Sequence, residues 1–110
     1  MQSFGGHIRI IRQDKRISLK TVAEALAIDL AILSKIERGV RMATRDQVVK
    51  LADYFILDKN QMVNLWLSDR ILNQLGDEDR AMEVIKLAEE EIAYKTKPIP
   101  SISLIKTKLE

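Results

Sequence analysis

Between positions 34 and 45 the chain gathers four cations, Lys35, Arg38, Arg41 and Arg45, with the hydroxyl of Ser34 beside them, its densest set of side chains able to do chemistry. Guanidinium forks and an ammonium offer oxyanion binding, phosphate above all. Isolated surface arginines are mostly solvated bystanders, but clustering beside a polar helix face argues for a binding role. No catalytic set competes. The chain has no cysteine and a single histidine, His7, which excludes disulfides, thiolate metal sites and histidine clusters. Asp77-Glu78-Asp79 at a helix start reads as capping and dipole compensation, and the consecutive Glu89-Glu90-Glu91 point in different directions on a helix. Neither catalytic residues, a metal nor a cofactor is expected, and the chain does not read as an enzyme.

Charge along the 110 residues is uneven. Positions 1–45 carry +5, positions 46–95 carry −5 and positions 96–110 carry +2, within a formal net charge of +2. The basic first part calls for an anionic partner, and the acidic second part restricts that partner to one side. The length suits one domain with an appendage, and 46% hydrophobic with 31% charged residues is enough for a core and for solubility. No apolar run approaches the roughly 18 residues of a membrane span, and the start lacks the pattern of a signal peptide. The expected location is cytoplasmic, with no membrane contact.

Proline is absent before Pro98 and apolar residues recur every three to four positions, which predicts an all-helical body. A first helix over 4–16 turns Phe4, Ile8 and Ile11 inward, with Ile10 as a marginal fourth. Ser18 caps a second helix carrying Val22, Ala23 and Leu26, and Asp29 caps a third that ends near Arg38, before Gly39. Thr44-Arg45-Asp46-Gln47 fits a capping box ahead of Val48, Leu51, Ala52 and Phe55. Asp58 opens a long fifth helix to Gly76, and Asp77 opens a sixth to about Lys95. After Thr96, prolines 98 and 100 break the pattern, leaving an extended tail over 96–110.

The third helix is the informative one. At about 100° per residue, Ile32, Leu33 and Ile36 share one side, while Ala31, Ser34, Lys35 and Arg38 share the other, with Leu30 and Glu37 at the margin. The apolar side must bury itself on the second helix. Only Ala27 and Ile28 join the two, so they cross steeply and the third helix protrudes. A protruding helix of this width fits the B-DNA major groove, about 12 Å across.

The run Val22-Ala23 through Leu33-Ser34-Lys35-Ile36-Glu37-Arg38-Gly39, with Leu51-Ala52 in register, resembles the helix-turn-helix domain of the XRE (Cro/cI-like) transcription regulators, over roughly Phe4 to Met62. The resemblance implies a five-helix bundle that binds double-stranded DNA as a dimer, here with an additional C-terminal helix. It puts Leu30, Ala31 and Lys35 where the family commonly reads base edges, with Ser34 beside them. Leu30 and Ala31 depart from the polar residues common there, so thymine methyl contact substitutes for hydrogen bonding, while Lys35 is the candidate for guanine. Backbone phosphates fall to the start of the second helix at Ser18 and to Arg38, Arg41 and Arg45. The family also often pairs an arginine, here Arg12, with the glutamate at Glu37.

The domain is expected over 4–75, with 76–95 as a dimerisation helix. Leu65, Trp66, Ile71 and Leu72 give the fifth helix more apolar surface than a closed bundle needs, and Ala81, Ile85, Ala88 and Ile92, spaced four, three and four, form a seam for another helix. The expected protein is a homodimeric regulator on a palindromic operator, in a family whose compact members often control restriction-modification operons. The alternatives are an antitoxin-type autoregulator and a module of the same fold that binds a protein, through its C-terminal helices or tail, without reading DNA.

Overall fold

Side-chain caps open the helices. The computed structural model describes residues 3–96, and its helices are α1 (Phe4–Asp14), α2 (Leu19–Leu26), α3 (Leu30–Glu37), α4 (Arg45–Tyr54), α5 (Lys59–Leu75) and α6 (Ala81–Thr96). Among the described residues all regular structure is helical. Ser3, Ser18 and Asp29 accept from the amides three residues on, at 3.1, 3.0 and 3.0 Å, and Asp58 does so for Gln61 at 2.9 Å. At α4 the capping box closes both ways: Thr44 Oγ1 accepts from the Gln47 amide at 3.1 Å, and the Thr44 amide donates to Gln47 Oε1 at 2.9 Å. Each cap supplies about 1 kcal/mol by satisfying an otherwise orphaned donor.

The first four helices end alike. In each, a left-handed residue follows the last turn and the next amide reaches back five residues: Ile17 to Arg12 O at 3.2 Å, Ile28 to Ala23 O at 3.0 Å, Val40 to Lys35 O at 2.9 Å, and Leu57 to Ala52 O at 2.8 Å. The left-handed residues are Arg16, Ala27, Gly39 and Ile56, with φ between 54° and 76°, and only one is glycine. The strain at the other three is offset by the apolar residue that follows, since Ile17, Ile28 and Leu57 all belong to the core or pack on it.

Phe4, Ile8, Val22, Leu33, Leu51 and Val48 are the largest fully buried side chains, and α3 packs against both α1 and α2. Gly5 permits the α1–α3 contact, because a Cβ there would land on the Ile36 carbonyl. Three expectations need correction. Ile10 is 43% exposed rather than inward, and α1 ends at Asp14, two residues short of Arg16, because Arg16 takes up the left-handed turn. The sixth helix begins at Ala81 rather than Asp77: after Gly76 (φ +58) the acidic residues fill turns, with the Glu78 amide donating to Leu75 O at 3.1 Å and the Ala81 amide to Glu78 O at 3.2 Å.

The chain divides into two compact units between Gln74 and Leu75. The first holds α1 to α4 and nearly all of α5. The second holds α6, no residue of which is buried. The expected tail lies outside the described residues from position 97 onward.

Candidate nucleic-acid interface

Within α3 the two faces separate by burial. Leu33 and Ile36 are buried at 0% and 2% exposure, while Leu30, Ala31, Lys35 and Arg38 are exposed and Ser34 is half-buried. The buried side anchors α3 in the core, so its position is set by packing and the outer side is free for a ligand.

The loop after α3 is held by the helix it leaves. Gly39, at φ +76°, turns the chain, and the Val40 and Arg41 amides both donate to the Lys35 carbonyl, at 2.9 and 3.3 Å. That fixes the backbone beneath Arg41 directly beyond the α3 surface. Arg38 folds back so that its Nε donates to Ser34 Oγ at 3.4 Å, a long and weak bond that keeps the guanidinium beside the helix. Ser18, exposed at the start of α2, accepts from the Thr21 amide and lies 2.8 Å from the Thr21 hydroxyl.

Charge on this surface is not neutralised internally. Three ion pairs form among the described residues, Arg12–Glu37, Lys50–Asp46 and Lys59–Asp53, and none of them uses Lys35, Arg38, Arg41 or Arg45. Four exposed cations between positions 35 and 45, none with a carboxylate partner among the described residues, suit a phosphate backbone.

Trp66 organises the far end of that surface and corrects an expectation. Its indole is 6% exposed and Nε1 donates to the Ala43 carbonyl at 2.7 Å, two residues after Arg41. Placing Trp66 on an interface with a second copy therefore fails: the ring is spent on core packing and on that carbonyl. Arg45 and Arg70 lie over the ring at 5.5 and 5.1 Å from its centroid, in cation–π range. Arg70 went unnoticed in the sequence, although its i,i+4 spacing from Trp66 was a usable signal. Leu65 is half-buried against the core, whereas Ile71 and Leu72 are about half exposed, at 50% and 53%.

Arg12 and Glu37 come together as a buried pair at the back of α3, with Arg12 Nη1 also donating to the Ile17 carbonyl at 2.9 Å. Asp69 of α5 was also missed: it accepts from the Phe4 amide at 2.7 Å and so helps cap α1 across 65 positions, a relationship no local pattern signals. A cleft of about 230 Å³ opens nearby between Phe4, Arg41, Met42, Trp66, Asp69 and Leu72. In the second unit, Ile85 and Ile92 are 37% and 62% exposed, Ala88 is exposed and Ala81 half-exposed.

Among the described residues no three metal-ligating side chains gather, and no helix is long and apolar enough to cross a membrane. Residues 8–59 match the helix-turn-helix family model. No curated protein and no solved structure matches the chain.

Proposed function

We propose that the protein, whose residues 8–59 match the helix-turn-helix family model, is a sequence-specific DNA-binding transcription regulator of the XRE type that binds a palindromic operator as a homodimer. Each protomer lays α3 in a major groove, with two half-sites about 34 Å apart. The observation that carries this reading is the set of exposed cations outside any ion pair, Lys35 and Arg38 on α3 with Arg41 and Arg45 following it in the chain, together with the exposed outer face of α3. Lys35, Ser34, Leu30 and Ala31 are assigned to base edges. Ser18, Arg38, Arg41 and Arg45 are assigned to phosphates.

The dimer is supported by apolar surface that the protomer leaves open: Ile71 and Leu72 on α5, and Ile85 and Ile92 with Ala81 and Ala88 on α6. A cytoplasmic regulator occupying its own promoter accommodates both a restriction-modification controller and an antitoxin-type autoregulator. Selecting duplexes from a random pool tests the reading. A palindromic motif, with log affinity falling linearly in log salt, is the expected result, and a pool that shows no enrichment overturns it.

The second reading, a protein-binding module of the same fold, draws on Leu30, which is 46% exposed at the start of α3. It predicts affinity for a protein partner and indifference to duplex sequence.

A further inference from the structure

Reading a base edge requires donors or acceptors for its polar atoms, and the first turn of α3 offers none. Leu30 is 46% exposed and Ala31 is exposed, and neither packs against the core. Of the neighbouring polar groups, Asp29 accepts from the Ile32 amide at 3.0 Å as the cap of α3, and Ser34 Oγ accepts a long bond from Arg38 at 3.4 Å while keeping its hydroxyl proton to donate. Hydrogen-bonded readout on this face is left to Ser34 and Lys35, one turn further along the helix. An apolar patch set among Lys35, Arg38, Arg41 and Arg45 faces a polyanion by charge complementarity, so its complement is an apolar group lying between phosphates. The major groove has one such group, the pyrimidine C5 methyl.

We infer that the protein recognises its half-site through C5 methyl groups of pyrimidines packed on Leu30 and Ala31, so that 5-methylcytosine serves as thymine does at those positions. The inference rests on the DNA-binding reading above. Thymine and 5-methylcytosine differ at the 4-position, as carbonyl against amino group, and neither leucine nor alanine can sense that difference. Both bases present the same methyl. Occupancy of a site with cytosine at such a position therefore rises when the cytosine is methylated, which makes the surface responsive to DNA methylation.

The test uses the full chain and the duplex it enriches from a random pool. Each half-site thymine is replaced in turn by deoxyuridine, which removes only the methyl. At the position opposite Leu30 the expected loss is about fourfold, the factor that one buried methyl-sized group corresponds to. At that position 5-methylcytosine should exceed cytosine by the same factor, and Leu30→Ser, a change at an exposed site, should erase both differences while the helical spectrum is unchanged. Specific binding that ignores uridine at every position overturns the inference and leaves the DNA-binding reading intact. A uridine penalty that survives in both Leu30→Ser and Ala31→Ser also overturns it. Failure to enrich any duplex removes the reading beneath it, and capture of a protein through Leu30 instead would redirect this face.

Discussion

Arg12 and Glu37 meet through two parallel bonds, Arg12 Nε donating to Oε2 at 2.8 Å and Nη2 to Oε1 at 2.9 Å, with the glutamate side chain 4% exposed. The pair ties α1 to the end of α3, which must stay put if the opposite face of α3 is to register against a groove. Hydrogen bonding to Glu37 raises the Arg12 pKa above its already high ordinary value, against a smaller lowering by burial. With the folded value above the unfolded one, the stability Arg12 contributes is complete below the unfolded value and is lost as pH rises from there through the folded one. No loss from this group is expected anywhere near neutral pH.

Removing one member of the pair strands the other. Glu37→Gln should lower the unfolding free energy by about 2–3 kcal/mol, at or slightly below the range for buried pairs because the Arg12 side chain is 13% exposed. Urea titration of Glu37→Gln, Arg12→Met and the double variant should give strongly non-additive losses. Additive losses would mean the two side chains act independently.

Gly5→Ala puts a methyl group onto the Ile36 carbonyl. Backbone cannot yield as a flexible side chain would, so α1 must shift from α3 at a cost of about 1–3 kcal/mol. A melting temperature equal to that of the parent would show that the close approach is not tight.

Position 56 holds a β-branched isoleucine at φ 57° with the residue 91% exposed. Ile56→Gly removes left-handed strain of about 1–2 kcal/mol without uncovering core, and a net gain of about 1 kcal/mol remains after the flexibility glycine adds to the unfolded chain. Calorimetry should register a higher melting temperature, and a fall would place the strain elsewhere.

Lys35→Ala and Arg41→Ala should fail differently. The first should relax preference at one base pair, at about 1–3 kcal/mol, and the second should weaken every duplex alike while reducing the salt slope by about 1. Binding isotherms on matched and mismatched operators, taken across a salt series, separate the two. Equal and uniform losses would cancel the division into base and phosphate contacts.

Ile85 and Ile92 share the face of α6 with Ala81 and Ala88, and none of the four is buried in the protomer. Charging that face with Ile85→Glu and Ile92→Glu should convert a dimer to monomers in sedimentation equilibrium and weaken operator binding, with the helical spectrum intact. A double variant that still sediments as a dimer would move the interface to Ile71 and Leu72.

Much of the fold was written locally. The capping residues Ser18, Asp29 and Thr44, and the apolar spacing of Leu33 and Ile36 against Lys35 and Arg38, depend on neighbours within one or two turns, and such short-range patterns survive in the linear order of residues. Helix ends were less readable, because Arg16, Ala27 and Ile56 occupy positions where a pattern search looks for glycine. They are tolerated there because the residue after each is buried in the core or packs against it, and that packing is a property of the folded chain.

The sequence by itself determined the helices, the cationic edge and the two-faced character of α3, since each follows from residue type and helical period. Only the tertiary structure decided that Trp66 belongs to the core with its indole donating to Ala43, that Asp69 reaches the start of α1, and that Lys35, Arg38, Arg41 and Arg45 share no carboxylate. Those facts join residues up to 65 positions apart, and which partners such groups find is fixed by close packing in three dimensions, a constraint that no local periodicity encodes.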